Sequence, residues 1–177
     1  MGYLIPATDH PFGAIPYDGV MSVNPYNKDS AAVAIYPGDF VIMETDGGIG
    51  VAVTGSTNII GVAAEYSAAS TAKTDFLVYD HTEQKFAIQD DSDTTGMTEA
   101  SVGTNANIVT TTGNTTTLRS QVEIDSSTAA TSAALALKIL HLHPVENRSF
   151  ATTTGQQRTW VVKINTHLHS AYQQVGI

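Results

Sequence analysis

The chain has no cysteine. Disulfides, thiolate metal sites and a cysteine nucleophile are therefore excluded. Positive charge is also scarce. Lys and Arg number 8 against 17 Asp and Glu, a formal net charge of −9. Non-specific nucleic-acid binding needs a cationic face, so no nucleic-acid partner is expected. Charge of either sign is sparse: 14% of residues, against about 25% in an ordinary domain. The surface must then be built largely from Thr, Ser, Asn, Gln and Gly. That suits a protein packed against neighbours, and equally a plain β-domain.

No apolar run approaches the roughly 18 residues that a membrane span needs, so no membrane partner is expected. The first residues have neither a basic start nor a long apolar stretch, which predicts no signal peptide. Met1-Gly2 fails the myristoylation pattern at Pro6. Catalytic signatures are missing too. There is no Gly-x-Ser-x-Gly elbow, no phosphate loop and no dinucleotide fingerprint. Glu44, Asp46, Glu65, Asp75 and Asp80 are scattered, and nothing pairs them for acid–base work. The expectation is a protein that is not an enzyme and carries no cofactor.

What the sequence does contain is strand. At 177 residues, one domain or two small ones is expected. Residues 75–89 alternate around a polar break at Asp80–Gln84, which reads as a hairpin. Ala31–Tyr36, Phe40–Glu44, Val51–Val53 and Ile59–Ala64 read as strands. Asp46-Gly47-Gly48 reads as a tight turn between two of them. Residues 90–117 read as polar loop, with one short helical turn expected within Glu99–Gly103 and Asn105–Val109. Residues 118–125 alternate again and 125–132 read as a small-residue turn. Ala133–His143 and Thr159–Asn165 read as strands, with a loop at 144–158 between them.

Residues 1–30 hold Pro6, Pro11, Pro16 and Pro25. Prolines at this density exclude a helix or a central strand, so an extended arm is expected. Its apolar residues need cover, from the chain's own domain or from a neighbouring subunit. The fold class expected is mainly β. It is a small barrel or sandwich body over 31–177 with a proline-rich N-terminal arm over 1–30. An alternative expectation divides the body into a barrel at 31–90 and a second β-subdomain at 91–177.

Two motifs suggest metal. His141-Leu142-His143 and His167-Leu168-His169 each place two imidazoles on one strand face. Surface or interface histidines beside core positions are the commoner outcome, and no metal is expected. Asp91-x-Asp93-x-Thr95-Gly96 imitates the start of a calcium loop, but Val102 stands where a bidentate Glu is required.

An ordered series of short motifs remains. It runs through Asn24-Pro25-Tyr26, Ile35-Tyr36-Pro37-Gly38-Asp39-Phe40-Val41, Ile60–Ala64, Val78–His81, Phe86–Asp90, Val102–Ala106 and Ser120–Asp125. It ends with Leu137–Leu142, Asn147 and Val161–His167. This series resembles a family of tailed-bacteriophage virion proteins, the capsid cement or decoration proteins often encoded beside the major capsid protein. The resemblance implies a structural role on the outer capsid surface, after synthesis in the host cytoplasm. It implies the major capsid protein as a partner and a dimer or trimer of the chain itself. It carries over no catalytic residue. Phe12, Tyr17, Pro25 and Tyr26 are the arm residues expected to make capsid or subunit contacts. Deleting residues 1–27 is expected to abolish capsid binding without unfolding the body. The rival expectation is a displayed β-domain that recognises a glycan or a host surface through its Thr- and Asn-rich loops.

Overall fold

The computed structural model describes residues 9–18, 21–29, 32–93, 96–144 and 156–170. The readings for residues 1–8, for Thr95, for most of the 144–158 loop and for the tail after 170 lie outside them. Among the described residues eleven strands follow in order: β1 Ile15–Pro16, β2 Val23–Lys28, β3 Phe40–Met43, β4 Ile49–Val51, β5 Ile59–Ala63, β6 Lys73–Tyr79, β7 Lys85–Gln89, β8 Asn105–Val109, β9 Glu123–Ala130, β10 Leu137–Leu142 and β11 Thr159–Ile164. A 3-10 turn, Glu99–Ser101, precedes β8. The strands form two antiparallel sheets. One has six strands, ordered β1-β7-β11-β10-β8-β9; the other has five, ordered β2-β6-β5-β3-β4.

The main core lies between the sheets. Phe40, Ile59 and Val62 of the five-stranded sheet meet Phe86, Ile88, Ile139, Trp160 and Val162 of the six-stranded one. The opposite face of the five-stranded sheet holds a second core of Ile35, Val41, Ile49, Ile60, Phe76 and Val78. All five residues of β5 are therefore buried, which explains its unbroken apolar run rather than an alternating one. Gly61 is required there, because a Cβ would stand 2.1 Å from the Tyr79 carbonyl oxygen. The five-stranded sheet curls until β4 comes back beside β2. No ladder joins those two strands, so the body is sandwich-like and not a closed barrel.

Several features differ from the sequence reading. Residues 75–89 are not a hairpin. β6 belongs to one sheet and β7 to the other, so Asp80–Gln84 carries the chain across the sandwich. Period-two patterning shows a strand's faces and leaves its partner open. The sheets also do not divide at residue 90, since β1 and β7 share a sheet with β8–β11. Residues 105–109 are strand β8, and β9 runs through the expected turn to Ala130. Of the expected strand over Ala31–Tyr36, the described residues 32–36 contribute one bridge, Ile35–Ser67.

For the arm, the sequence left two covers open, its own domain or a neighbouring subunit. Among its described residues, β1 pairs with β7 and β2 pairs with β6, each as the outermost strand. Pro25 stands opposite Leu77 on such an edge, where its missing N–H leaves no central ladder bond unmade. Its described strands thus lie on their own domain. Deleting residues 1–27 would strip an edge strand from each sheet, so it would damage the body and cannot isolate a binding role.

β2 ends on a buried lysine. Lys28 is 2% exposed, and its Nζ donates to the carbonyls of Ala68 and Thr71 at 3.0 and 2.9 Å. Burial lowers its pKa, and the neighbouring Asp29 opposes that. The ammonium pins the 68–71 turn, in which Ser70 holds a left-handed φ of 56°. Lys28→Met keeps the stem but leaves both carbonyls without this donor. The expected loss is about 2 kcal/mol, read from the urea midpoint. An unchanged midpoint would show that the clamp is dispensable.

Candidate binding surface

Ten large apolar side chains are exposed among the described residues, and four of them, Ile15, Tyr17, Met21 and Val23, fall between residues 15 and 23. Met21 is the extreme, at 67% exposed. The cause is local. β1 and β2 are the outermost strands of the two sheets, so each has a strand neighbour on one side only. Pro25 is exposed, and its ladder partner Leu77 is 40% exposed.

The four arm residues expected to make contacts have different fates. Tyr17 stands at the edge of the six-stranded sheet, where its N–H donates to the Lys85 carbonyl. Its ring reaches His143 and His141 edge-on, at centroid distances of 4.9 and 6.1 Å. Phe12 is half-buried. Tyr26 turns inward against the second core. Its hydroxyl donates to Asp80 Oδ2 at 2.6 Å, and Asn24 Nδ2 donates to Asp80 Oδ1 at 2.8 Å. Burial and the Asp80 carboxylate raise the phenol's pKa well above its ordinary value. Tyr26 therefore anchors β2 to its own domain, while Tyr17 and Pro25 remain on the surface.

The two His-x-His pairs do not converge. Among the described residues no three of these four histidines bring ligand atoms within 4.8 Å of one another. His141 and His143 gather around Tyr17. His167 is 4% exposed, and its Nδ1 accepts the His169 N–H at 3.1 Å. Burial lowers the His167 pKa, and His169 lowers it further. The set of three acidic or imidazole side chains that does converge is Asp29, Glu44 and Asp46. Sequence distance hid it: Asp29 follows β2, and Glu44 and Asp46 belong to the β3–β4 turn, which the curl of the sheet brings alongside.

Glu44 also borders a groove of about 590 Å³. It is lined by Tyr36, Phe40, Val51, Val53 and the Thr110–Gly113 loop. Gly113 lies on the Tyr36 ring, where a Cβ would be 2.3 Å from a ring carbon. Tyr66 meets the Tyr36 ring at 5.2 Å. Asp39 is buried in this region and accepts the Tyr36 N–H at 2.8 Å. Burial raises its pKa against that hydrogen bond and one from Ser120.

A further carboxylate group sits where β7 ends beside β9. Asp90 is fully buried and accepts from the Arg158 backbone N–H at 2.6 Å and from Trp160 Nε1 at 3.1 Å. Its pKa is raised to about 6, chiefly by burial. Asp91 Oδ1 accepts from the Ser126 hydroxyl at 2.6 Å and from its N–H at 3.0 Å. Asp91, the first aspartate of the stretch that imitates a calcium loop, is thus tied into β9. Glu123 is 9% exposed, and its Oε1 has no hydrogen-bond partner. Burial and the charges of Asp9, Asp91, Asp90 and Asp93 raise its pKa to about 8. No family model, no curated protein and no solved structure matches the chain.

Proposed function

We propose that the chain is a structural protein of a tailed-bacteriophage virion. It binds the outer surface of the shell and stabilises it by cementing neighbouring capsomers. The observation that carries this reading is the apolar exposure of Ile15, Tyr17, Met21 and Val23, four of the ten large exposed apolar side chains among the described residues. Clustered apolar exposure favours a protein–protein contact. Tyr17 is the anchor of that contact, because a ring held by two histidines loses little freedom on docking. The rest of the sandwich serves as a rigid spacer, and repetition over the shell supplies avidity. The chain acts as a symmetric dimer or trimer with the major capsid protein as its partner.

Co-sedimentation with purified shells, together with the solution mass, tests this. The expected result is binding as a small oligomer. The paired substitution Tyr17→Ala and Met21→Ser is expected to weaken binding at least ~10-fold, the effect of removing one anchor residue and its apolar neighbour. Binding unchanged in that variant would remove segment 15–23 from the contact. A monomer that ignores shells would overturn the reading.

The groove favours a second reading, a displayed β-domain that recognises a glycan or host surface. The Thr110–Gly113 loop has no aromatic residue of its own, yet it lies against Tyr36. Glycan-array binding lost in Tyr36→Ala would move the function there.

A further inference from the structure

Three of the chain's eight lysines and arginines stand in one cross-strand row. In the six-stranded sheet Lys85 of β7 faces Lys163 of β11, and Lys163 faces Lys138 of β10. Directly opposed residues project to the same side of a sheet. Their neighbours Phe86, Val162 and Ile139 point into the main core, so the lysines project from the outer face. Like charges directly opposed on a sheet destabilise it. The chain has 17 carboxylates, and none occupies a position in this row.

The acids that touch the row come from outside it. Asp18 Oδ2 lies 3.5 Å from Lys85 Nζ, and Glu83 Oε2 lies 3.3 Å from Lys163 Nζ. Both acid side chains are 68% exposed. Ion pairs this exposed contribute little and are readily exchanged. Lys138 Nζ donates to the Gly103 carbonyl at 2.6 Å, which fixes the far end of the row. Tyr17, His141 and His143 occupy the adjoining part of the same face.

We propose that the Lys85–Lys163–Lys138 row is a docking site for an acidic polypeptide segment, whose carboxylates take the places of Asp18 and Glu83. Neighbouring strands are about 4.8 Å apart, so the row spans about 10 Å. Carboxylates on alternate residues of an extended segment are about 7 Å apart, within reach of flexible lysine stems. A nucleic acid fits less well. The row is three charges wide, Asp18 and Glu83 flank it, and a net charge of −9 repels a long polyanion. The inference is independent of the shell reading.

Poly-L-glutamate is the probe, titrated into the full chain at low ionic strength. The expected result is binding that weakens as salt is added. In Lys85→Gln/Lys138→Gln/Lys163→Gln the affinity should fall roughly tenfold, the size expected for three exposed charge pairs. Lys73→Gln/Arg119→Gln, which removes positive charge elsewhere, should bind like the parent. The triple variant should melt no earlier than the parent, since a repulsion has been removed. Should it melt early, Lys85→Gln alone gives the same direction of change. Binding unchanged in the triple variant, or no binding of poly-L-glutamate, would overturn the proposal. So would tighter binding of a single-stranded DNA oligonucleotide at equal salt. A solution mass that rises with concentration and reverts in the triple variant would instead assign the row to a second copy of the chain, and would overturn it too.

Discussion

Asp90→Ala is expected to destabilise the fold by about 3–5 kcal/mol, the range for removing one partner from a buried charged hydrogen-bond set. Asp90 is the knot that joins three strands. Its N–H donates to the Arg158 carbonyl at 2.9 Å, and its carboxylate accepts from the Arg158 N–H and Trp160 Nε1 at the start of β11. It also forms a parallel bridge to Ile124 of β9. Alanine strips two donors of a fully buried acceptor and leaves a void beside Trp160, itself fully buried. Asp90→Asn is the finer probe. Its amide can still accept from one donor, but it presents N–H to the other, so it should recover only part of the loss. Exposed Asp75 provides the comparison, since Asp75→Ala should shift stability by no more than about 0.5 kcal/mol. Urea unfolding measures all three. A loss below about 1 kcal/mol for Asp90→Ala would mean that water replaces the carboxylate at little cost.

The second large effect is a stability that falls as pH rises. Glu123 has an ordinary value of 4.5 and is raised to about 8 in the folded chain. Between those values the folded state keeps a proton that the unfolded state has released. The contribution is therefore fully present below pH 4.5 and has been lost above about pH 8. Asp90 acts with the same sign between 3.8 and about 6. Asp91 and Asp39 are also raised by burial and act in the same direction. His167 acts with the opposite sign. Its lowered pKa means that its contribution is lost as pH falls below 6.5. The window from pH 6.5 to 8 therefore belongs chiefly to Glu123. There the expected slope reaches about −1.4 kcal/mol per pH unit, or about 1.5 kcal/mol over the window as the group begins to ionise. Glu123→Gln imitates the neutral acid and should flatten this part of the profile. Denaturant midpoints at half-unit pH steps, parent against variant, read the difference directly. A parent that gains stability toward pH 8 would show that Glu123 is ionised and solvated at neutral pH.

Both effects arise from residues that the sequence made look ordinary. Asp90 and Asp91 read as the start of a polar loop, and Glu123 as the polar position of an alternating strand. Burial changed their character, because β9 returns beside β7 only once the six-stranded sheet has formed. The lysine row was hidden for the same reason. Lys85, Lys138 and Lys163 are far apart in sequence, and only the ladder register lines them up. Tyr17 could be picked out as an aromatic in a proline-rich arm, but its contact with His141 and His143 could not.

The sequence by itself determined that the chain is β-structure, where most strands lie, and that Pro25 must stand on an edge. These follow from side-chain size, period-two alternation and a missing N–H, all local properties. It also determined the scarcity of positive charge that makes a row of three lysines conspicuous. The tertiary structure alone decided which strands pair. It separated β6 from β7, folded the arm onto its own sheets and placed the Thr110–Gly113 loop on Tyr36. A strand exposes the same backbone donors and acceptors whatever its partner. Pairing is therefore settled by how the whole set of apolar faces can be buried at once, and no single stretch of sequence records that.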